Sequence, residues 1–153
     1  MTFWQILPAL YVAVASIPLA WIDVREHRLP NVWVLPGYIV LIVALGGVWI
    51  CSGVFPALAV GSSLAYFAFM FLLSLIGGMG MGDVKLAGVL GGAAGLLGIT
   101  AAVLSPVVGF IAGGVVSLVF MVATQAGRKA RIPFGPFMLL GFWVAVALMF
   151  FVE

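Results

Sequence analysis

The chain contains only two aspartates, Asp23 and Asp83, and their placement suggests a catalytic pair. Two long apolar runs separate them, so two membrane crossings would return both carboxyl groups to the same face. Such a pair can hydrolyse a peptide: an ionised carboxylate draws a proton from the attacking water, while a protonated one donates to the carbonyl oxygen or the leaving amine. Because like charges held close cannot both ionise cheaply, we expect the pair to share one proton and titrate as a unit.

Each aspartate also has an ordinary structural interpretation. Asp83 precedes an apolar run, so it can serve as the N-cap of a helix. Asp23 lies two residues before Arg25 and can form half of an interfacial ion pair. Both alternatives stay open at the level of the sequence.

The composition indicates that membrane helices position these residues. Of 153 residues, 66% are hydrophobic and 7% are charged, against about 25% charged residues in soluble domains. So few charges cannot cover the exterior of a soluble domain, and six Lys and Arg are too few to bind nucleic acid along its backbone. The chain has one cysteine, Cys51, which excludes an internal disulfide and a metal site built from several cysteines. It has one histidine, His27, which argues against a metal centre built from imidazoles.

At about 20 residues per transmembrane helix, the chain fits one membrane-embedded all-α domain, 1–153, with about six spans. The first apolar run lacks a basic flank, so we interpret it as a span and not as a cleaved signal peptide. The boundary between spans four and five lies either at 95–100, which we favour, or at Ser105-Pro106, which would cap the fifth helix. The predicted spans are 4–22, 32–50, 56–76, two within 84–124, and 137–152.

Basic residues predict the orientation of the bundle. They fall only in the connections after spans one, three and five, and the connections after spans two and four contain none. Cationic connections stay in the cytoplasm, so we expect both ends of the chain outside. The basic residues are Arg25, Arg28, Lys85, Arg128, Lys129 and Arg131.

Small residues at helical spacing predict close helix–helix contacts in lipid. The pairs are Gly78/Gly82, Gly88/Gly92 and Gly109/Gly113.

Three short motifs carry a family resemblance. Residues 23–31 read DVREHRLPN and resemble the D-x-R-x-x-x-I/L-P-N segment of type IV prepilin peptidases. Residues 80–86, GMGDVKL, resemble the G-x-G-D-x-K-L segment of that family, and residues 132–137, IPFGPF, resemble the run before its last helix. The motifs occur in the family's order, each beside a predicted cytoplasmic connection.

The resemblance implies an intramembrane aspartic endopeptidase that removes the basic leader of prepilins at the cytoplasmic face of the inner membrane, with Asp23 and Asp83 as the catalytic dyad. It implies no metal and no cofactor. The chain lacks the paired C-x-x-C cysteines of the longer members, so we expect a short form without methyltransferase activity, similar to the peptidases of tight-adherence (Flp-type) pili.

Neighbours of the dyad are candidates for shaping the site. Gly80 and Gly82 would allow strained backbone angles and close approach of a substrate. Arg25 would orient Asp23, or else serve membrane topology, and the topological interpretation is favoured for Lys85. The segment with Pro133 and Gly135 would dip toward the dyad, or else form an ordinary helix start with Pro136 at the first position.

Two other functions compete with peptidase activity. A transporter or channel subunit could use the two aspartates as an ion or proton site, but such proteins place polar or ionisable residues near the membrane midplane, and the interiors of the predicted spans contain no Asp, Glu, Lys, Arg or His. A non-catalytic membrane scaffold would have no need of two acids on one face.

Overall fold

The computed structural model describes residues 1–76, 80–124 and 133–152. Within these residues all regular secondary structure is α-helical, which confirms the predicted fold class. The helices are α1 (Phe3–Glu26), α2 (Asn31–Ser52), α3 (Ala57–Ile76), α4 (Met81–Leu97), α5 (Ile99–Thr124) and α6 (Gly135–Val152).

Four helices are long and apolar enough to cross a membrane, namely α1, α2, α3 and the Ile99–Phe120 part of α5. In α6 the apolar stretch Gly135–Met149 is shorter. The 17 residues of α4 extend about 25 Å at 1.5 Å per residue, slightly less than the hydrocarbon core of a bilayer. The chain is therefore a multi-pass membrane protein built as a helical bundle, with one helix at each predicted span.

The end of α1 differs from the prediction. Asp23 was expected at the junction of helix and loop, but the helix continues to Glu26, and Asp23 lies inside its last turn. His27 ends the helix in the left-handed conformation (φ 52°), and its N–H donates to the Asp23 carbonyl at 2.8 Å. The helix continues past the end of the apolar run because Arg and Glu are good helix formers.

Gly98 separates α4 from α5. Its φ of 143° lies in a region that favours glycine, and its N–H closes the last turn of α4 on the Ala94 carbonyl. The preferred boundary at 95–100 is therefore confirmed. The alternative at Ser105-Pro106 is wrong, because Pro106 lies inside α5.

The helix α4 forms the centre of the bundle and contacts each of the other five helices. Twelve of its 17 residues are buried. Its glycines permit this: a Cβ on Gly91 would lie 2.6 Å from the Ser62 carbonyl oxygen of α3, and one on Gly95 would lie 2.6 Å from Ala59 Cα. Close backbone approach is the main way in which helices gain packing contacts in lipid.

The predicted glycine pairs do lie at helix contacts. Gly88 and Gly92 face Tyr38 and Leu41 of α2, and neither position has room for a Cβ. Gly109 and Gly113 face the start of α6. Gly82 contacts the α1–α2 connection instead of a helix, and Gly78 lies outside the described residues.

The exterior is apolar along the helices and charged at one connection. Side chains such as Ile17, Ile39 and Ile50 are largely exposed, as lipid-facing residues are, whereas Arg25 and Arg28 are exposed at the α1–α2 connection. The basic residues Arg128, Lys129 and Arg131 lie outside the described residues. The predicted orientation of the chain ends stays a prediction.

The single cysteine gives a direct test of that orientation. Cys51 is exposed at the end of α2, on the face predicted to be periplasmic. We expect a membrane-impermeant maleimide to label it in intact spheroplasts. As a control, Glu26→Cys in a Cys51→Ser background places the thiol at the opposite face, where labelling should require permeabilisation. The reverse labelling pattern would contradict the predicted topology.

Candidate active site

Asp23 is buried and receives a hydrogen bond from the start of α6. The side chain is 4% exposed, and its Oδ2 accepts the N–H of Gly135 at 2.9 Å. A Cβ on Gly135 would lie 2.7 Å from the same oxygen, so glycine is required for this approach. The first N–H groups of a helix have no partner within the helix, and Asp23 satisfies one of them from a distant part of the chain.

Asp83 lies in the first turn of α4, three residues after the N-cap Gly80. Its carboxyl group is hydrogen-bonded by the Gly80 backbone, as expected for an acidic side chain in the first turn. Its other oxygen, Oδ1, is buried and has no hydrogen-bond partner among the described residues. The interpretation of Asp83 as the N-cap is therefore wrong, because Gly80 holds that position and Asp83 is the third residue of the helix.

Leu29, in the connection between α1 and α2, joins the two aspartate sites. A Cβ on Gly82 would lie 2.7 Å from Leu29 Cβ, and one on Gly135 would lie 3.2 Å from Leu29 Cδ2. Leu29 therefore packs between the starts of α4 and α6. The carboxyl groups of Asp23 and Asp83 lie at the same end of the bundle, within electrostatic reach of each other.

Lys85 and Asn31 form a second link between the first two motifs. The Lys85 Nζ donates to the Asn31 Oδ1 at 3.1 Å, and the Lys85 carbonyl accepts the Tyr38 hydroxyl at 2.7 Å. Both hydrogen bonds connect the first turns of α4 to α2. Lys85 is thus held at the site, in addition to any role in topology.

Arg25 does not orient Asp23 in this structure. It is exposed, and its guanidinium lies over the Trp21 ring, 4.3 Å from the centroid. No ion pair between Arg25 and Asp23 occurs among the described residues. The geometry therefore favours the topological interpretation of Arg25 and does not support the ion-pair interpretation of Asp23.

The segment before α6 is a helix start, but Pro136 is not at its first position. Pro133 is half-buried, and the Phe134 carbonyl accepts the N–H groups of Phe137 and Met138, so Phe134 is the N-cap. Pro136 consequently occupies the second helical position, not the first. The segment is an ordinary helix start that nevertheless reaches Asp23 through Gly135.

The two glycines of the second motif have different roles. Gly80 has φ −74° and ψ 146°, which any residue can adopt, and Gly82 lies within α4, without a positive φ. The prediction of strained backbone angles is wrong for both. Gly82 does permit a close approach, but by Leu29 of this chain; approach of a substrate stays a prediction. Leu29 and Asn31 were not predicted as site residues. The only indication in the sequence was that both belong to the first motif.

Comparisons with known proteins identify the family of the chain. The model of the type IV leader peptidase family matches residues 10–123, three quarters of the chain. The chain belongs to this family. It is 30% identical over 147 residues to a prepilin leader peptidase/N-methyltransferase of Xanthomonas campestris pv. campestris, covering 92% of this chain and 50% of the relative.

Two further relatives carry the same name. The protein of Pseudomonas putida is 31% identical, covering 88% of this chain and 49% of the relative. The protein of Stutzerimonas stutzeri is 33% identical, and the match covers 94% of this chain and 50% of that relative. The chain thus spans about half the length of the curated relatives it matches. No solved structure matches the chain significantly.

Substitution of Gly80 and of Gly82 gives a matched test of the site geometry. We expect Gly82→Ala to lower the thermal midpoint in detergent, because its Cβ meets the backbone and Cβ of Leu29; overpacking of this kind costs about 1–3 kcal/mol. Gly80→Ala should have little effect, since its Cβ would meet Asp83 Oδ2 only at 3.6 Å. Equal midpoints for the two variants would show that Leu29 does not pack against Gly82.

Proposed function

We propose that this protein is an aspartic endopeptidase that cleaves the basic leader of type IV prepilin-like proteins, of the Flp type, at the cytoplasmic face of the bacterial inner membrane. The observation that supports this most is the convergence of Asp23 and Asp83 at one end of the bundle. Family membership and the names of the relatives support the same reaction and substrate class. The partners are then a prepilin and the lipid bilayer.

The proposed reaction uses the two carboxyl groups in complementary protonation states. The ionised one takes a proton from water while the water oxygen forms a bond to the scissile carbonyl carbon. The protonated one donates to the carbonyl oxygen, giving a neutral tetrahedral intermediate. As this intermediate collapses, the C–N bond breaks, the leaving amine takes a proton from the protonated carboxyl group, and a hydroxyl of the intermediate gives its proton to the ionised one. The pair ends with the single shared proton it had at the start.

The neighbouring residues position this pair. The Gly135 N–H holds one oxygen of Asp23, and the Gly80 backbone holds the Asp83 carboxyl. Each contact comes from a helix N-terminus, where a negative charge is favoured by about 0.3–1 kcal/mol. In this proposal Pro133 and Lys85 shape the rim of the substrate site, and Gly82 keeps Leu29 close.

The dyad is tested by neutral substitutions of matched size. Asp23→Asn and Asp83→Asn should each lower the cleavage of a co-expressed or purified Flp-type prepilin at least about a hundredfold, because each removes one of the two proton-transfer groups. Leader removal is read as a mobility shift on a gel. Glu26→Gln, which changes an exposed acid next to the site, should cleave normally. An Asn variant with near wild-type activity would exclude that aspartate from the dyad.

Inhibition tests the proposed absence of metal and thiol chemistry. Two carboxyl groups supply every proton transfer, so a chelator should leave the rate within about twofold. Alkylation of Cys51 should also have no effect, because it lies at the far end of α2, about 30 Å along the helix axis from Asn31. Loss of activity with a chelator, restored by added metal, would contradict this mechanism.

A further inference from the structure

The hydroxyl of Tyr66 is a buried polar group in the middle of an apolar helix. Tyr66, in α3, is 5% exposed, and its hydroxyl has no hydrogen-bond partner among the described residues. The other two tyrosines are paired: Tyr11 donates to the Trp33 carbonyl at 2.6 Å and Tyr38 to the Lys85 carbonyl. A buried hydroxyl without a partner is destabilising, so packing alone does not explain a tyrosine at this position.

Two hydrogen bonds between α3 and α4 show which residues of the two helices lie at the same level. Ser62 Oγ donates to the Gly91 carbonyl at 2.8 Å and Ser63 Oγ to the Gly88 carbonyl at 2.7 Å. The two helices are thus antiparallel, and three residues onward from Ser63 brings Tyr66 level with Lys85. Asp83 is two residues from that level, about 3 Å along the helix axis.

Asp83 presents the complementary group. Its Oδ1 is buried without a partner, like the Tyr66 hydroxyl, and the two side chains are within electrostatic reach. A phenol is a hydrogen-bond donor and a carboxylate oxygen an acceptor. The two unpaired groups therefore match in chemistry as well as in position.

We infer that Tyr66 is a positioning residue for Asp83: its hydroxyl donates a hydrogen bond toward Oδ1 through one water molecule and fixes the orientation of the carboxyl group. A water with two polar partners is a common bridge between buried groups. This role rests on the proposed function, because it acts through one member of the proposed dyad. It explains why an apolar helix retains a phenol where a phenylalanine would pack equally well.

Few other ionisable groups are able to act on Asp83. Asp23 approaches from the end of α1, and the charged or titratable residues that follow it, Arg25, Glu26, His27 and Arg28, are exposed. On α2, Tyr38 is bound to the Lys85 carbonyl, and Lys85 itself, on α4, has its Nζ bound to Asn31. In the described parts of α3, α5 and α6, Tyr66 is the only ionisable residue. A change in the pH dependence of the reaction on removing the Tyr66 hydroxyl is therefore attributable to its contact with Asp83.

The test compares Tyr66→Phe with Tyr11→Phe in the purified full chain. Tyr66→Phe should lower kcat for prepilin cleavage about tenfold, as expected for loss of a hydrogen bond to a charged group, with KM within twofold. Its pH–rate profile should move to higher pH, because loss of the donor disfavours the ionised form of Asp83. Tyr11→Phe should leave kcat and the profile unchanged.

The thermal midpoints of the two variants should rank in the opposite order to their activities. Tyr11→Phe leaves the Trp33 carbonyl without its donor and should lower the thermal midpoint. Tyr66→Phe removes a water-mediated hydrogen bond but also the need to bury a hydroxyl, so its midpoint should stay close to that of the wild type. The midpoint shift caused by Tyr66→Phe should also change in an Asp83→Asn background, since that variant alters the partner.

The outcomes separate this inference from the proposed function. If the wild type cleaves prepilin, the Asp83→Asn variant does not, and Tyr66→Phe matches the wild type in kcat and pH profile, the inference alone is overturned. If the wild type does not cleave prepilin, the proposed function fails. The stability coupling then decides the contact by itself: an equal midpoint shift in both backgrounds would show that Tyr66 and Asp83 do not interact.

Discussion

The close approach of three chain segments around Leu29 is the contact on which the rest of the site depends. Leu29 packs against Gly82 at the start of α4 and against Gly135 at the start of α6, so the two helices begin at the same depth. The same glycine at position 135 places its N–H on Asp23. Side chains at either glycine would push the helix starts apart and separate the two carboxyl groups.

The central helix makes this convergence possible. In lipid there is little hydrophobic driving force between helices, so packing and interhelical hydrogen bonds must hold them together. The glycines of α4 allow backbone contact with α3, and Ser62 and Ser63 of α3 donate to α4 carbonyls. Because α4 contacts every other helix, its first turn, which carries Asp83, has a fixed position relative to both α1 and α6.

Much of this arrangement follows from local sequence patterns, and the rest depends on tertiary contacts. Apolar runs locate the six helices, and a glycine correctly marks the boundary at Gly98. Apolarity does not locate the end of α1, since polar helix formers extend it past Asp23. Spacing indicates which glycines meet a neighbour but not which neighbour: Gly82 meets Leu29, and the contact of Gly135 with Asp23 joins residues 112 positions apart.

The unpaired oxygens of Tyr66 and Asp83 show how function and stability diverge at this end of the bundle. Elsewhere in the described chain, polar side chains of the helices mostly donate to nearby carbonyls, as Ser16 does to Val12 and Tyr38 does to Lys85. A third buried oxygen, Ser105 Oγ, also lacks a partner among the described residues, but it has no second unpaired group assigned to it. A fold selected for stability alone would place apolar side chains at the positions of Tyr66 and Asp83, because a buried polar group without a partner is destabilising. Retaining two such groups within reach of each other, beside a second carboxyl group, is expected where polar atoms must remain available to a reacting water and peptide.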